Sequence, residues 1–470
     1  MDNEAQAALA RLKNGVAPGH AGIIWDMTVG IDFLTGFWEE HYLSDYIPQG
    51  GSRIQFLTGR LGSGKTHMVE YFLCKPGNFK TVSFSARDVW IHDFKEIYFE
   101  ALRQCDLEGC LRRCVEGIVK ELGFDPGGYH GCFIDYLSAI GENNAINKRE
   151  IRSLLNKAFC ENPLMDNNFA NACALLAGGL LGHPMLEEPA RQALLGWLGG
   201  RKDVKLPTLR GLGLAPVRIS KHNARHMLRS LVEVIKMAGY DGLVIAIDDL
   251  DILVSRDSLE EIRYTRVKRD DVYESIRELI DEIDTLRSVF FLLAFDRKLI
   301  DDEKIGIKSY QALWFRIQNE IQSDRLNRFS NMVDLDRLPV YDVGSVMELS
   351  ARVARLLNTA GERPAQPLGE DAASELLSRA AFGELSLPRR VVLATAAGHM
   401  GQAELAGMAR QAGQAELAGM AGMAGHMGQA GQAELAGMAG HMGQAEQAEL
   451  VGMAGHMGQA GQGEGGAHGL

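Results

Sequence analysis

Apolar positions along the chain follow two rhythms. RIQFLT at 53–58 reads as a short apolar strand, and two runs are apolar throughout: LVIAI at 243–247 and VFFLLAF at 289–295. Such runs suit strands buried on both sides, as in a parallel sheet covered by helices. A further strand is expected at 81–84. Elsewhere apolar residues return every three or four positions, the spacing of a helix with one buried face. That spacing predicts helices at 4–13, 33–46, about 65–74 and 225–238, a long helical stretch from about 89 to 200, and more helices from 344 to 395. Gly and Pro break it at Asn14-Gly15, at 48–51, at Pro126-Gly127-Gly128 and at Gly182-His183-Pro184, and 201–220 reads as a loop. Strands alternating with helices, then helices alone, predict an α/β fold with a parallel-sheet core, a large helical insertion and a C-terminal helical lid. The expected divisions are an N-terminal arm at 1–50, a core at 51–340 with the insertion at about 89–220, and the lid at 341–397.

Both rhythms stop at 398. The last 73 residues repeat a unit close to GQAELAGMAGHM from Gly401, Gly413, Gly431 and Gly443, and hold 20 of the 53 Gly and 9 of the 18 Met. Their period matches neither the heptad nor the 11-residue supercoil repeat. Each Gly costs about 1 kcal/mol in a helix relative to Ala. All 34 aromatic residues lie in 1–397, so the tail has nothing from which to build a core. It reads as a low-complexity extension, disordered or partly helical, with a Met/His copper tract as the alternative.

The charge of −12 divides into −7 on residues 1–397 and −5 on the tail. That balance does not indicate duplex binding, although a local basic patch for DNA stays open. The start, MDNEAQAALARLKNG, is too acidic and polar for a secretory signal. The longest apolar stretch, 172–182, falls short of the roughly 20 residues that span a membrane. Seven Cys without framework spacing suggest reduced thiols. These features predict a cytoplasmic protein with no membrane partner. Cys105, Cys110, Cys114 and Cys132, with His130, invite a zinc reading, but no C-x-x-C pair exists and buried thiols fit better.

Candidate chemistry concentrates in Gly59-Arg60-Leu61-Gly62-Ser63-Gly64-Lys65-Thr66, which fits G-x-x-x-x-G-K-[ST]. Glycines let successive N–H groups turn inward around phosphate oxygens, and the following helix adds its dipole. Lys65 would reach the β- and γ-phosphates, and Thr66 would offer a hydroxyl to Mg²⁺. The complementary acid is expected at the end of LVIAIDDLD: Asp248 for the Mg²⁺ shell and Asp249, or Asp251 in its place, to orient the attacking water. Asp296, ending the neighbouring strand, is either a polar sensor of the γ-phosphate or a helix cap for Lys298. Arg316, Arg325, Arg328, Arg389 and Arg390 are candidates to complete the site, from a neighbouring subunit or from the lid. Two basic runs read first as solvated helix faces and second as surfaces for nucleic acid or another subunit: Arg263, Arg266, Lys268 and Arg269, and Lys221, His222, Arg225, His226 and Arg229.

With these residues in view, the chain resembles the ATP-binding proteins of BREX-type bacterial phage-defence loci. The resemblance is carried by LKNGVAP and VGID near the start, FLTGRLGSGKTH, WLGGRKDVKLPTLRGLGLAP, AGYDGLVIAIDDLDIL and GIKSYQALWFRI, in order over roughly 5–395. It implies a P-loop ATPase of the AAA+ and origin-recognition branch, with ATP and Mg²⁺ as cofactors and other defence-system proteins as partners. A large helical insertion before the acid strand is also implied, and Lys65 and Asp248 stand 183 positions apart. Within ALWFRI, Arg316 becomes the favoured arginine finger, acting across a homo-oligomer. Two departures stand out. The family often has Asp-Glu where this chain has Asp248-Asp249, one methylene shorter, and the tail is no part of its pattern. Two alternatives to an ATPase therefore stay open: a signalling switch with negligible turnover, and a small-molecule kinase.

Overall fold

A computed structural model describes residues 2–74, 77–255, 262–318, 330–337, 341–361, 365–379 and 386–397. Arg325, Arg328 and the repeat tail lie outside the described residues. Met1–Gly398 forms one compact unit.

Five strands form one sheet: β1 (Arg53–Gly59), β2 (Phe79–Ser85), β3 (Gly242–Asp248), β4 (Val289–Asp296) and β5 (Met332–Asp334). They run in the order β2-β3-β4-β1-β5, and every neighbouring pair is parallel. The fold is thus α/β with an all-parallel sheet. β4, the most apolar run, takes the centre, where both faces are covered. Alternate residues go to opposite faces. Phe56, Ile245, Phe291 and Phe295 meet the helices of the insertion, whereas Leu57, Val244, Phe290 and Leu292 meet the helices at 32–46 and Lys65–Cys74. In β1 the fully buried Gln55 donates from its side-chain amide to Ser330 O (3.0 Å) and Asn331 O (2.9 Å), which ties β5 to the sheet.

Between β2 and β3 the chain inserts a helical layer from Phe94–Gln104 to Ala224–Met237. Its helices start where side-chain acceptors stand ready: Asp93 accepts from Lys95 N, Asp106 from Gly109 N, and Asp166 from Asn168 N and Phe169 N. The stretch 201–220, expected as a loop, contains a short helix, Leu206–Gly211, opened by a proline in its first turn. Cys105, Cys110 and Cys114 are buried in this layer, and burial pushes the thiols of Cys105 and Cys114 up to about 12. All seven cysteines are free, and no cluster of metal-ligating side chains occurs among the described residues. No described helix is long and apolar enough to cross a membrane.

The first fifty residues do not stand off as an arm. Asp32–Trp38 and the π-helical turn Glu39–Tyr46 lie against the sheet, with Trp38 and Tyr42 reaching Phe290. Helix Asp2–Lys13 buries Ala5 and Leu9 in a third core, against Val346, Val353, Val391 and Val392 of the C-terminal helices Val343–Thr359 and Leu387–Ala397. The two ends of the folded unit therefore make one small domain. The reason is physical: each of these helices has one apolar face and must bury it against another element.

Candidate functional site

Register places the chemistry. Gly59 pairs with Asp296 and Ser85 with Asp248, so β1, β2, β3 and β4 end at one edge of the sheet. In open parallel sheets this carboxyl edge is where ligands bind. The loop leaving β1 turns through Gly62 (φ +80°) and Gly64 (φ +96°), left-handed conformations that cost any other residue energy. It then enters helix Lys65–Cys74 directly.

Lys65 Nζ donates to Gly59 O (2.8 Å) and Arg60 O (2.9 Å) and stands 4.0 Å from Asp296 Oδ2. Thr66 Oγ1 donates to Asp248 Oδ2 at 2.8 Å, and Asp249 N donates to Asp248 Oδ1 at 2.8 Å. Burial, and then the Asp249 carboxylate beside it, pushes the Asp248 carboxyl above its ordinary value, against the pull of the Asp249 N–H, the Thr66 hydroxyl and Lys65. A hydroxyl and a carboxylate in contact form the oxygen donor set that suits Mg²⁺.

Asp249 sits at φ +58° with its side chain already engaged. Ser85 Oγ donates to its Oδ2 at 2.7 Å, and Arg87 Nε lies 3.6 Å from its Oδ1. Arg87 Nη2 also donates to Asp251 Oδ2 (3.2 Å), while Asp251 Oδ1 accepts from Asp296 N (3.1 Å). Asp296 makes the cap contact and stands beside Lys65. Its Oδ1 accepts from Lys298 N at 3.0 Å, as a cap does, and its Oδ2 faces Lys65.

Lys65, Thr66, Arg87, Asp248, Asp249, Asp251 and Asp296 line a cleft of about 370 Å³, within the rough range of 300–1,000 Å³ for small-molecule sites. Its apolar lining comes from Val16, Ala17, Val29 and Ile31 of the N-terminal segment and from Leu349 and Val392 of the C-terminal helices. Arg389 lines the cleft too, its Nε donating to Lys13 O at 3.0 Å. His67, on the loop helix and lining the cleft, is pushed down to about 4 by burial; its Nε2 lies 2.8 Å from Thr28 Oγ1.

Of the residues singled out in the sequence, Gly62, Ser63, Gly64, Lys65, Thr66, Asp248, Asp249, Asp296 and Arg389 meet in this cleft. Gly59 closes β1 beneath it, and Arg390 is not among its lining residues. Arg316 is elsewhere, held by Asp281 through Nε (2.5 Å) and Nη2 (3.0 Å). Sequence reasoning passed over Ser85, Arg87 and the N-terminal wall. The available signal for the first two was their place just after an expected strand of the same sheet. Within the basic runs, Lys268 Nζ sits 3.6 Å over the Trp90 ring, and Arg225 pairs with Glu278 and Glu282.

A cleft at the carboxyl edge of a parallel sheet, with both charged and apolar lining, marks the nucleotide-binding α/β proteins. The chain belongs to the family of BREX system ATP-binding proteins BrxC/D, whose family model matches residues 1–392. The match spans every described residue of the cleft and agrees with the resemblance carried by the sequence motifs. It supports ATP as the ligand and an ATP-binding role in phage defence. No curated protein and no solved structure matches the chain.

Proposed function

We propose that this chain is a P-loop, AAA+-like, Mg²⁺-dependent ATPase of slow basal turnover, working in the cytoplasm with other BREX components. The observation that carries this reading is the Thr66–Asp248 pair, in contact at 2.8 Å beside Lys65. Mg²⁺, when bound, supplies charge neutralisation on the phosphates, and Thr66 and Asp248 are the residues that would hold it. Lys65 and the N–H groups of the loop bind the phosphate chain. The apolar walls take the base, and Arg389 closes the cleft from the lid side. Asp249 orients water for in-line attack, and Arg316 of a neighbouring copy adds positive charge at the γ-phosphate.

A second reading, an ATP-dependent switch with negligible turnover, is favoured by one contact. The Asp249 carboxylate that would orient water is already engaged by Ser85. One experiment tests both. ATP binding and phosphate release are measured on the purified full chain, with Mg²⁺ and with EDTA, for wild type and Lys65→Ala. The ATPase reading expects release that requires Mg²⁺ and is lost in Lys65→Ala. Tight binding without release supports the switch, and equal behaviour of the two proteins overturns both.

A further inference from the structure

We propose a second phosphate-binding site, separate from the nucleotide cleft, in a cavity of about 320 Å³ lined by His222, Arg225, His226, Arg229, Glu282 and Thr285. None of these residues lines the nucleotide cleft. Arg225, His226 and Arg229 lie in the first two turns of helix Ala224–Met237, with Arg229 four and three residues beyond the other two, and His222 stands just before the helix.

Their partners separate them into two groups. Arg225 is engaged through its Nη groups, although its Nε is buried without an acceptor: Nη2 contacts Glu278 Oε2 (2.6 Å) and Ser275 O (3.3 Å), Nη1 lies 3.7 Å from Glu282 Oε2, and the guanidinium stands over the Phe94 ring. Glu282, the carboxylate of the cavity, thus faces Arg225. Arg229 has no such match. Its Nε is likewise buried without an acceptor, and among the described residues no side chain pairs with its guanidinium. Among the same residues the rings of His222 and His226 have no partner either, and Thr285 Oγ1 donates to Glu282 O, leaving its lone pairs free. A buried N–H without an acceptor costs about 1–3 kcal/mol, so such a group marks the place of an acceptor from outside the chain.

The chemistry selects the ligand. A guanidinium presents a rigid fork that matches phosphate oxygens, and two imidazoles add N–H donors around the same space. A carboxylate ligand would use the fork equally but brings only two oxygens for the guanidinium and both rings. A phosphate group, with oxygens on all sides, engages the guanidinium and both rings together. Such a group can come from a free phosphate compound or from a nucleic-acid backbone.

The test uses the full chain in a Lys65→Ala background, so that the nucleotide loop contributes little to phosphate binding. Thermal unfolding is followed while inorganic phosphate is titrated against sodium chloride of matched ionic strength. The site predicts a phosphate-specific rise in melting temperature, with an apparent affinity at least fivefold weaker when Arg229→Gln is added. His226→Gln, at an exposed position, gives a smaller loss and serves as the test should Arg229→Gln fold poorly. An equal rise with and without these changes, or no rise at all, overturns the site. Anisotropy of a labelled 20-base-pair duplex then identifies the source. Weakening of duplex binding by Arg229→Gln assigns the site to a nucleic-acid backbone, and a response to inorganic phosphate alone assigns it to a free phosphate compound. ATP binding by Arg229→Gln with Lys65 intact is expected to equal wild type, which keeps this test separate from that of the nucleotide site.

Discussion

Ser85 Oγ donates to Asp249 Oδ2 at 2.7 Å, from the end of one strand to the residue just past the end of its neighbour. The bond occupies an oxygen that a water-orienting carboxylate needs free. Hydrogen bonds to charged groups contribute about 1.5–3 kcal/mol, enough to hold Asp249 aside for most of the time. Ser85→Ala should therefore raise ATP turnover, by roughly threefold to tenfold, with KM little changed. Steady-state phosphate release at saturating Mg-ATP checks this. A fall in turnover would instead make Ser85 a residue that positions Asp249 productively.

Leu9 is 1% exposed in the core shared by the N-terminal helix and the C-terminal helices. Leu9→Ala removes buried methyl groups and should cost about 2–5 kcal/mol of stability. The same substitution loosens the segment whose Lys13 carbonyl accepts from Arg389, and whose Val16 and Ala17 wall the cleft. ATP affinity should then fall although no changed atom touches the nucleotide. Urea unfolding and ATP titration on one preparation test the two effects together.

The parts legible in the sequence and the parts that were not differ in the range of the interactions that create them. The glycine loop could be read because a backbone that wraps phosphate dictates residue types at consecutive positions, from Gly59 to Thr66. β3 and β4 could be read because burial on both faces demands unbroken apolar runs. β5 has only three residues, too few for any period, and it is held by the side chain of Gln55. Ala5 and Leu9 lie on an Ala-rich helix that reads as a surface element, because its partners Val346 and Val391 come from near the other end of the described chain. Arg87 reads as a solvated charge until the Ser85–Asp248 register, set across the whole helical insertion, brings it to Asp249 and Asp251.

Every described residue that lines the nucleotide cleft lies at or before Val392, which is also where the family match ends. Deleting residues 398–470 should leave ATP affinity within about twofold of wild type, a difference under 0.5 kcal/mol. Isothermal titration of both proteins with Mg-ATP decides the point. A larger loss would give the repeat tail a part in nucleotide binding.

His67 ties the loop helix to the N-terminal segment through Thr28, and burial lowers its pKa from 6.5 to about 4. Between those values the unfolded chain binds a proton that the folded chain refuses, so this histidine makes stability fall as pH drops from about 6.5 toward 4. His92 and His183 are shifted the same way, mainly by burial, and give a slope of their own. The difference between wild type and His67→Gln isolates the one residue. Urea unfolding at pH 7, 6 and 5 should show wild type losing more stability than the variant over that interval. Parallel losses would mean that the ring charges freely in the folded protein.

Gly62 joins two requirements at one position. Its φ of +80° would cost an L-residue about 1–2 kcal/mol, and a Cβ there would lie 2.4 Å from Ser386 Cβ, just ahead of helix Leu387–Ala397. The glycine loop and the lid thus touch at a place with no room for a methyl group. Gly62→Ala should weaken ATP binding by at least tenfold, through backbone strain together with displacement of the lid. Ser386→Gly removes the opposing Cβ and should by itself leave binding near wild type. The double variant separates the two causes: recovery of part of the lost affinity assigns that part to the lid contact, and what remains belongs to strain. Calorimetric titration of the four proteins with Mg-ATP completes the cycle. If the double variant binds as weakly as Gly62→Ala, the contact between loop and lid has no bearing on nucleotide affinity.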